Sequence, residues 1–92
     1  MTISTDDLRA RDGLAFEQVE EELLILDERN QKIHQLNPTA RAVWRGIENG
    51  SAIDNIVSEI VKTFDVTQEV ASQDVKRILN EFNSLNLVEK KT

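Results

Sequence analysis

The chain of 92 residues contains no cysteine, a single histidine and a single proline. Without cysteine it can form neither a disulfide nor a thiolate metal site. The lone His34 has no partners at the spacing that a metal site or a catalytic base would need. The sequence also lacks a glycine-rich phosphate loop and a nucleophile motif. These absences predict a protein that is not an enzyme and that holds no metal and no cofactor.

Long apolar runs are absent as well. A membrane-spanning helix needs roughly 20 apolar residues in succession, and no segment provides them. Residues 1–12 are polar and charged, unlike a secretory signal. The length is that of one small domain. We therefore expect a cytoplasmic protein that does not enter a membrane.

Positive charge is scarce, because 11 Lys and Arg face 17 Asp and Glu for a formal net charge of −6. An acidic domain repels the phosphates of nucleic acids and anionic lipids, so neither is an expected partner. The charge favours a neutral or basic partner, or serves only solubility. Residues 20–22, Glu-Glu-Glu, are expected to form a solvated turn, with attraction of a basic surface as the alternative.

Three short apolar segments with polar links make up the first half of the chain. Residues 15–19 are a weakly marked strand, residues 23–26 are apolar on both faces as in a central strand, and residues 32–36 have mixed faces. The pattern predicts a three-stranded antiparallel meander. Residues 1–13 contain little to bury and are expected to be a flexible tail, as are residues 90–92.

The only proline marks the joint between this sheet and a helical body. Asn37 is a good N-cap, because its side-chain oxygen can accept from a backbone N–H of the first turn. Pro38 suits the first helical position, where a missing N–H costs nothing, and it holds Asn37 in the extended region. A helix over about residues 38–48 follows. Trp44 lies on its apolar face, so a core role is expected.

Two more helices are predicted after the first. One, over about residues 52–64, carries a clean apolar stripe, with Ser51 as the expected N-cap. The other, over about residues 68–85, begins after the cap Thr67 and ends before Asn86, which tolerates the left-handed region. Its expected buried stripe is Ala71, Val75, Ile78, Leu79, Phe82 and Leu85. The fold class is therefore α+β, winged helix-turn-helix-like, with a three-stranded antiparallel sheet followed by three helices.

Three segments stand out in order along the chain. They are residues 36–40, Leu-Asn-Pro-Thr-Ala, then Gly50 with residues 53–56, Ile-Asp-Asn-Ile, and finally residues 85–88, Leu-Asn-Leu-Val. In this order they resemble segments of the PqqD-like family, pyrroloquinoline quinone biosynthesis protein D, and the first is similar to the family's Leu-Asn-x-Thr-Ala joint. These proteins are also called RiPP recognition elements, after ribosomally made, modified peptides. The resemblance covers residues 14–89, which are the expected domain.

The resemblance implies a non-catalytic peptide-binding domain. In the family, the leader of a precursor peptide is held as an added strand beside the third strand and against the third helix. The domain presents the leader to a modifying enzyme, often a radical S-adenosylmethionine enzyme. The residues are compatible with this, because the third strand of a meander has an open edge unless the fold covers it. Residues 32–36 contain no proline to block pairing. The same edge could pair with a second copy, so the expected state is a monomer or a homodimer.

The hypothesis for the binding site combines one strand with one helix. The expected peptide contacts are Ile33, His34, Gln35 and Leu36 on the strand and Asp74, Arg77, Ile78 and Glu81 on the third helix. Asp74 could accept from the peptide backbone or bind a basic residue, and Arg77 could bind an acidic one. The alternative is that Ile33, Leu36 and Ile78 are plain core and that Asp74 is a solvated helix residue.

Two other functions stay open at this stage. Winged-helix folds often bind DNA, although the third helix opens with Gln68, Glu69 and Asp74 rather than the basic residues of a recognition helix. A protein–protein adaptor that never binds a leader peptide fits the sequence as well as the leading interpretation does.

Overall fold

An antiparallel sheet precedes three packed helices in the computed structural model, which describes residues 8–90. The elements in chain order are β1 Leu8–Ala10, β2 Leu14–Val19, β3 Glu22–Asp27, β4 Lys32–Leu36, α1 Pro38–Glu48, α2 Ile53–Phe64, α3 Gln68–Ser84 and β5 Val88–Lys90. The predicted α+β fold, a three-stranded sheet followed by three helices, is confirmed. None of the helices in this part of the chain is long and apolar enough to cross a membrane.

β3 is the central strand of the sheet, with β2 and β4 on either side. Its residues alternate between buried and half-buried, so that Leu23, Ile25 and Asp27 point towards the helices. The opposite face carries Leu24 and Leu26, which are only half-buried. The predicted central strand is therefore present, but residues 8–90 cover only one of its two apolar faces.

A second, two-stranded sheet joins the two ends of the described chain. β1 pairs antiparallel with β5, with Leu8 opposite Lys90 and Ala10 opposite Val88. The predicted flexible tail over residues 1–13 is therefore wrong at β1, where Leu8 is buried in the core, and the predicted C-terminal tail is wrong at Lys90. Residues 1–7 and 91–92 of those tails lie outside the described residues.

Arg11, just after β1, connects this small sheet to the large one. Its guanidinium forms an ion pair with Asp27, Nη2 to Oδ2 at 2.8 Å, and its Nε donates to the Asn86 carbonyl at 2.6 Å. Asp27 also accepts from the Asn30 side chain at 2.9 Å. The hydrogen bond from Asn30 and the contact with Arg11 outweigh desolvation and lower the pKa of Asp27 to about 2. Asp27 is thus buried and ionised, and its ion pair with Arg11 links the two sheets.

The helix ends follow the predicted capping in two of three cases. Asn37 accepts from the Ala40 N–H at 2.9 Å, with Pro38 in the first turn, and Thr67 accepts from the Val70 N–H at 3.2 Å. The N-cap of α2 is Ala52, without a side-chain bond, so the prediction for Ser51 is wrong. The Ala52 carbonyl accepts from two N–H groups of the next turn, which supplies the backbone bond that starts the helix.

The chain leaves α1 and α3 through residues in the left-handed backbone conformation. Gly50, after α1, and Asn86, after α3, have φ of 69° and 58°, as expected for a glycine and an asparagine at such positions. The chain then turns back and buries Leu87 and Val88. α3 ends at Ser84, so Leu85 leaves the helical face and is 46% exposed; its predicted place in the buried stripe is wrong.

The core is centred on Trp44, which is fully buried as predicted. Its ring meets Phe82 of α3 edge-on, with centroids 5.2 Å apart, and Phe16 of β2 at 5.7 Å. α1 and α2 approach closely at Gly46, where a Cβ atom would collide with the side chain of Ile56. These contacts fix α1 and α3 relative to the sheet, and so they set the space between β4 and α3.

Candidate functional site

β4 is an edge strand whose outer side has no partner in the described chain, because β4 pairs only with β3. The Asn37–Pro38 joint connects it directly to α1. Across from it lies α3, and the two elements enclose an open groove with a cavity volume of about 490 Å³. An open strand edge beside a helix offers free backbone donors and acceptors together with side-chain contacts.

Every residue predicted for the binding site lines this groove. The strand contributes Ile33, His34, Gln35 and Leu36, and the helix contributes Asp74, Arg77, Ile78 and Glu81. The structure thus brings together all of the residues that the sequence assigned to one site.

The groove also includes residues that sequence reasoning missed, at its floor and its end: Asn37, Thr39, Ala40, Phe82 and Leu85. Phe82 and Leu85 were expected to be core residues only. Phe82 lies four positions after Ile78 and therefore on the same helical face, and this spacing was the available signal for Phe82. Leu85 comes directly after the last residue of α3 and lines the groove from the helix end. The three residues at the joint enter the groove because α1 starts immediately after β4.

The apolar lining divides into a buried floor and an exposed rim. Leu36, Ile78 and Phe82 are at most 6% exposed, so each is a core residue that also forms the floor. Ile33 is 68% exposed and Leu85 is exposed at the far end. Leu36 and Ile78 are therefore core residues that also line the groove, whereas Ile33 is not a core residue. Exposed apolar side chains beside an open edge are typical of a surface that a partner covers.

The charged residues of the groove form a short network along α3. Arg77 lies between two carboxylates, with Nη1 3.1 Å from Glu81 Oε1 and Nη2 3.7 Å from Asp74 Oδ1. The side chains of Arg77 and Glu81 are more than half exposed, and that of Asp74 is 39% exposed. Solvent-accessible pairs of this kind contribute only about 0–1 kcal/mol each. The network can therefore rearrange around an incoming charged group at low cost.

His34 and Gln35 are the polar residues of the strand side. The Gln35 side chain donates to Glu22 Oε2 at 2.5 Å, which ties it to the neighbouring strand. The His34 Nε2 atom is shielded from solvent and has no hydrogen-bond partner among residues 8–90. Because a shielded polar atom without a partner is costly, a ligand that supplies one would be favoured at this position.

The site contains no arrangement suited to metal chemistry. Nowhere between Leu8 and Lys90 do three or more His, Asp or Glu side chains converge closely enough to hold a metal ion. What the groove offers instead is an apolar floor, adaptable charges and a backbone edge. These are the features of a surface that binds an extended chain.

Comparison with known proteins gives one family and one fold. The family model described as coenzyme PQQ synthesis protein D (PqqD) matches residues 22–88. Two solved structures share the fold at 18% identity. TbiB1 in complex with the TbiA(beta) leader peptide has a TM-score of 0.80 and covers 91% of this chain and 98% of that one. Lasso peptide synthetase B1 complexed with the leader peptide has a TM-score of 0.82 and covers 90% and 98%. No curated protein matches this chain.

Proposed function

This chain belongs to the PqqD family, and on that premise we propose that it is a non-catalytic recognition domain for a ribosomally made precursor peptide. The domain binds the leader of the precursor and presents the peptide to a modifying enzyme, for which a radical S-adenosylmethionine enzyme is the first candidate. Two structures of the same fold are complexes with leader peptides, which supports this choice of ligand. The domain acts in the cytoplasm, where ribosomal precursors are made.

The observation that carries the proposal is the open edge of β4 facing α3. A leader in extended conformation adds a fourth strand to the sheet by pairing its backbone with β4. Such pairing gives affinity that depends little on side chains, since main-chain groups form the bonds. The groove then selects among peptides through its side chains. A second copy of the chain could use the same edge, and in that case dimerisation and peptide binding would compete.

The side chains of an added strand alternate between two environments. Those pointing towards the helices lie over the apolar floor of Leu36, Ile78 and Phe82. Those pointing the other way lie beside Ile33 at the strand edge. We therefore expect a leader with apolar residues at every second position in the segment that pairs with β4.

The charges of α3 define what can flank those apolar positions. A basic leader residue would bind Asp74 or Glu81, and an acidic one would bind Arg77. Because Arg77 already shares its charge between both carboxylates, either choice requires one weak ion pair to open. The groove therefore permits leader residues of either charge. Because two carboxylates face one guanidinium, it should prefer basic leader residues.

A scan of backbone N-methylation in the peptide tests strand addition. The probe is a synthetic peptide with the sequence of the leader of a short precursor, which is to be sought in the genes next to the one for this chain. It is methylated at one backbone nitrogen at a time, and affinity is measured by calorimetry. In an added strand every second N–H bonds to β4 while the others point away. We therefore expect large losses at alternate positions and small losses between them.

The control for this scan is the same peptide with single alanine substitutions, which report side-chain contacts and keep the N–H groups. Affinity that falls uniformly with methylation, or with a period of three to four residues, would contradict strand addition and indicate a helical ligand. Failure of the unmodified leader to bind at all would reject the proposed ligand.

A further inference from the structure

The face of the sheet that points away from the helices has an apolar centre. Strand register places Ala15, Leu26 and Ile33 side by side across the three strands. Leu24 lies on the same face two residues from Leu26, and Val19 lies on it at the end of β2. This outer sheet face, defined by these five residues, is distinct from the floor of the groove.

The outer sheet face is uncovered in the described part of the chain. Within residues 8–90, Leu24 and Leu26 are half-buried yet do not pack against the core. Val19 is 47% exposed and Ile33 is more exposed still. The solvated face of an antiparallel sheet is usually polar, and contiguous exposed apolar groups mark interaction sites. A protein partner is therefore expected to cover this face.

The negative charge beside the outer sheet face is concentrated at one end of the strands. Glu17 lies on this face, where it is paired in register with Leu24, and the turn between β2 and β3 adds the exposed Glu20 and Glu21. At the turn between β3 and β4, the exposed Glu28 is balanced by the exposed Arg29. A complementary partner would bring basic side chains to the turn between β2 and β3 and an apolar patch to the centre.

We propose that the outer sheet face is the docking surface for the peptide-modifying enzyme, through an apolar patch flanked by Lys or Arg. Only the identity of this partner rests on the proposed function. The surface is continuous with the groove, since Ile33 belongs to both. A leader paired with β4 would widen the same face by one strand and place every second side chain on it.

A consequence of this continuity is coupling between the two ligands. The enzyme would contact the outer sheet face and the outward side chains of the bound leader together, so it binds the loaded domain more tightly than the empty one. By thermodynamic reciprocity, the enzyme must increase the leader affinity by the same factor. Recognition and presentation would then use opposite faces of one four-stranded sheet.

The test uses the full chain, the leader probe described above and a peptide-modifying enzyme sought in the same neighbouring genes. Two variants, Leu24→Lys and Glu17→Lys, disrupt the centre and the acidic rim. Val70→Lys is the matched control, because Val70 is also exposed but lies on α3 outside the groove. Thermal unfolding confirms that each variant is folded. Enzyme affinity and leader affinity are measured separately by surface plasmon resonance.

We expect Leu24→Lys to weaken enzyme binding about tenfold or more, as losing one buried leucine would. Glu17→Lys should weaken it less and remove part of its salt dependence. Leader affinity should stay within about twofold in both variants, and Val70→Lys should match the parent in both assays.

If all three variants and the parent bind the enzyme with equal affinity, the outer sheet face is not the docking surface, even if the leader binds normally. Dimerisation of the parent that Leu24→Lys abolishes, without an effect on the enzyme, would assign the face to a second copy and also overturn it. A parent that binds the enzyme through this face but not the leader would support the docking surface while rejecting the proposed function.

Discussion

Truncation of Ile33 to alanine separates the binding role of the groove from its structural role. Ile33 lies on the open strand and is 68% exposed, whereas Ile78, across the groove, is 3% exposed. The same change at the two positions therefore acts on different equilibria. Ile33→Ala should lower peptide affinity with little effect on folding, and Ile78→Ala should lower the free energy of unfolding first.

The magnitude follows from the exposed area. Replacing Ile by Ala removes three carbon groups, worth roughly 2.4 kcal/mol if all were buried. About two-thirds of Ile33 is free to become buried on binding, which gives up to about 1.6 kcal/mol, or about a tenfold rise in Kd. The loss in unfolding free energy should be below about 1 kcal/mol. For Ile78→Ala it should be about 2–5 kcal/mol.

Isothermal titration of the leader peptide into each variant measures Kd, and urea unfolding measures stability. Val70→Ala serves as the control, because Val70 is an exposed apolar residue on α3 outside the groove. It should leave the Kd unchanged. An Ile33→Ala protein that binds the leader as tightly as the parent would refute the assignment of Ile33 to the binding surface.

Three further predictions concern the framework that holds the groove. Trp44→Ala removes a fully buried ring and should cost about 3–5 kcal/mol in urea unfolding; a variant that melts like the parent would contradict the core role. Gly46→Ala should lower stability by about 1–2 kcal/mol, because the clash with Ile56 exceeds the gain in helix propensity; Asn80→Ala, exposed on α3, is the control and should be neutral or stabilising. Because the pKa of Asp27 is lowered in the folded chain, the unfolded chain binds more protons in acid. The contribution of Asp27 to the free energy of unfolding is therefore fully present above about pH 4 and is lost as the pH falls towards 2. Asp27→Asn should make the free energy of urea unfolding depend less on pH in this range, and an unchanged dependence would contradict the ion pair with Arg11.

The joint and the helices could be predicted because their signals are local. Asn37, Pro38 and Thr67 act on backbone groups within three residues, and the apolar stripes repeat within each helix. The four helix residues of the site also follow from local geometry, since Asp74, Arg77, Ile78 and Glu81 are spaced for one face. That this face lies opposite β4 was implied by the family resemblance and could not be read from periodicity.

The parts that sequence reasoning missed depend on distant partners. β1 and β5 are three residues long and pair across almost the whole chain, too short for any periodic pattern. In the sequence Asp27 resembles a turn residue, because its ion-pair partner Arg11 is distant along the chain and comes close only in the fold. Leu85 continues the helical stripe in sequence, but α3 ends one residue earlier. The division of the groove into floor and rim likewise depends on packing, so the exposure of Ile33 could not be predicted.

The proposed leader peptide pairs with β4 and lies against α3. An NMR titration of the ¹⁵N-labelled chain with the leader probe tests this arrangement, because every backbone amide reports separately. We expect the largest shift changes along β4 and on the groove side of α3, at His34, Gln35, Arg77 and Ile78. Shifts concentrated on α2 or on the edge of β2, with β4 unchanged, would contradict it.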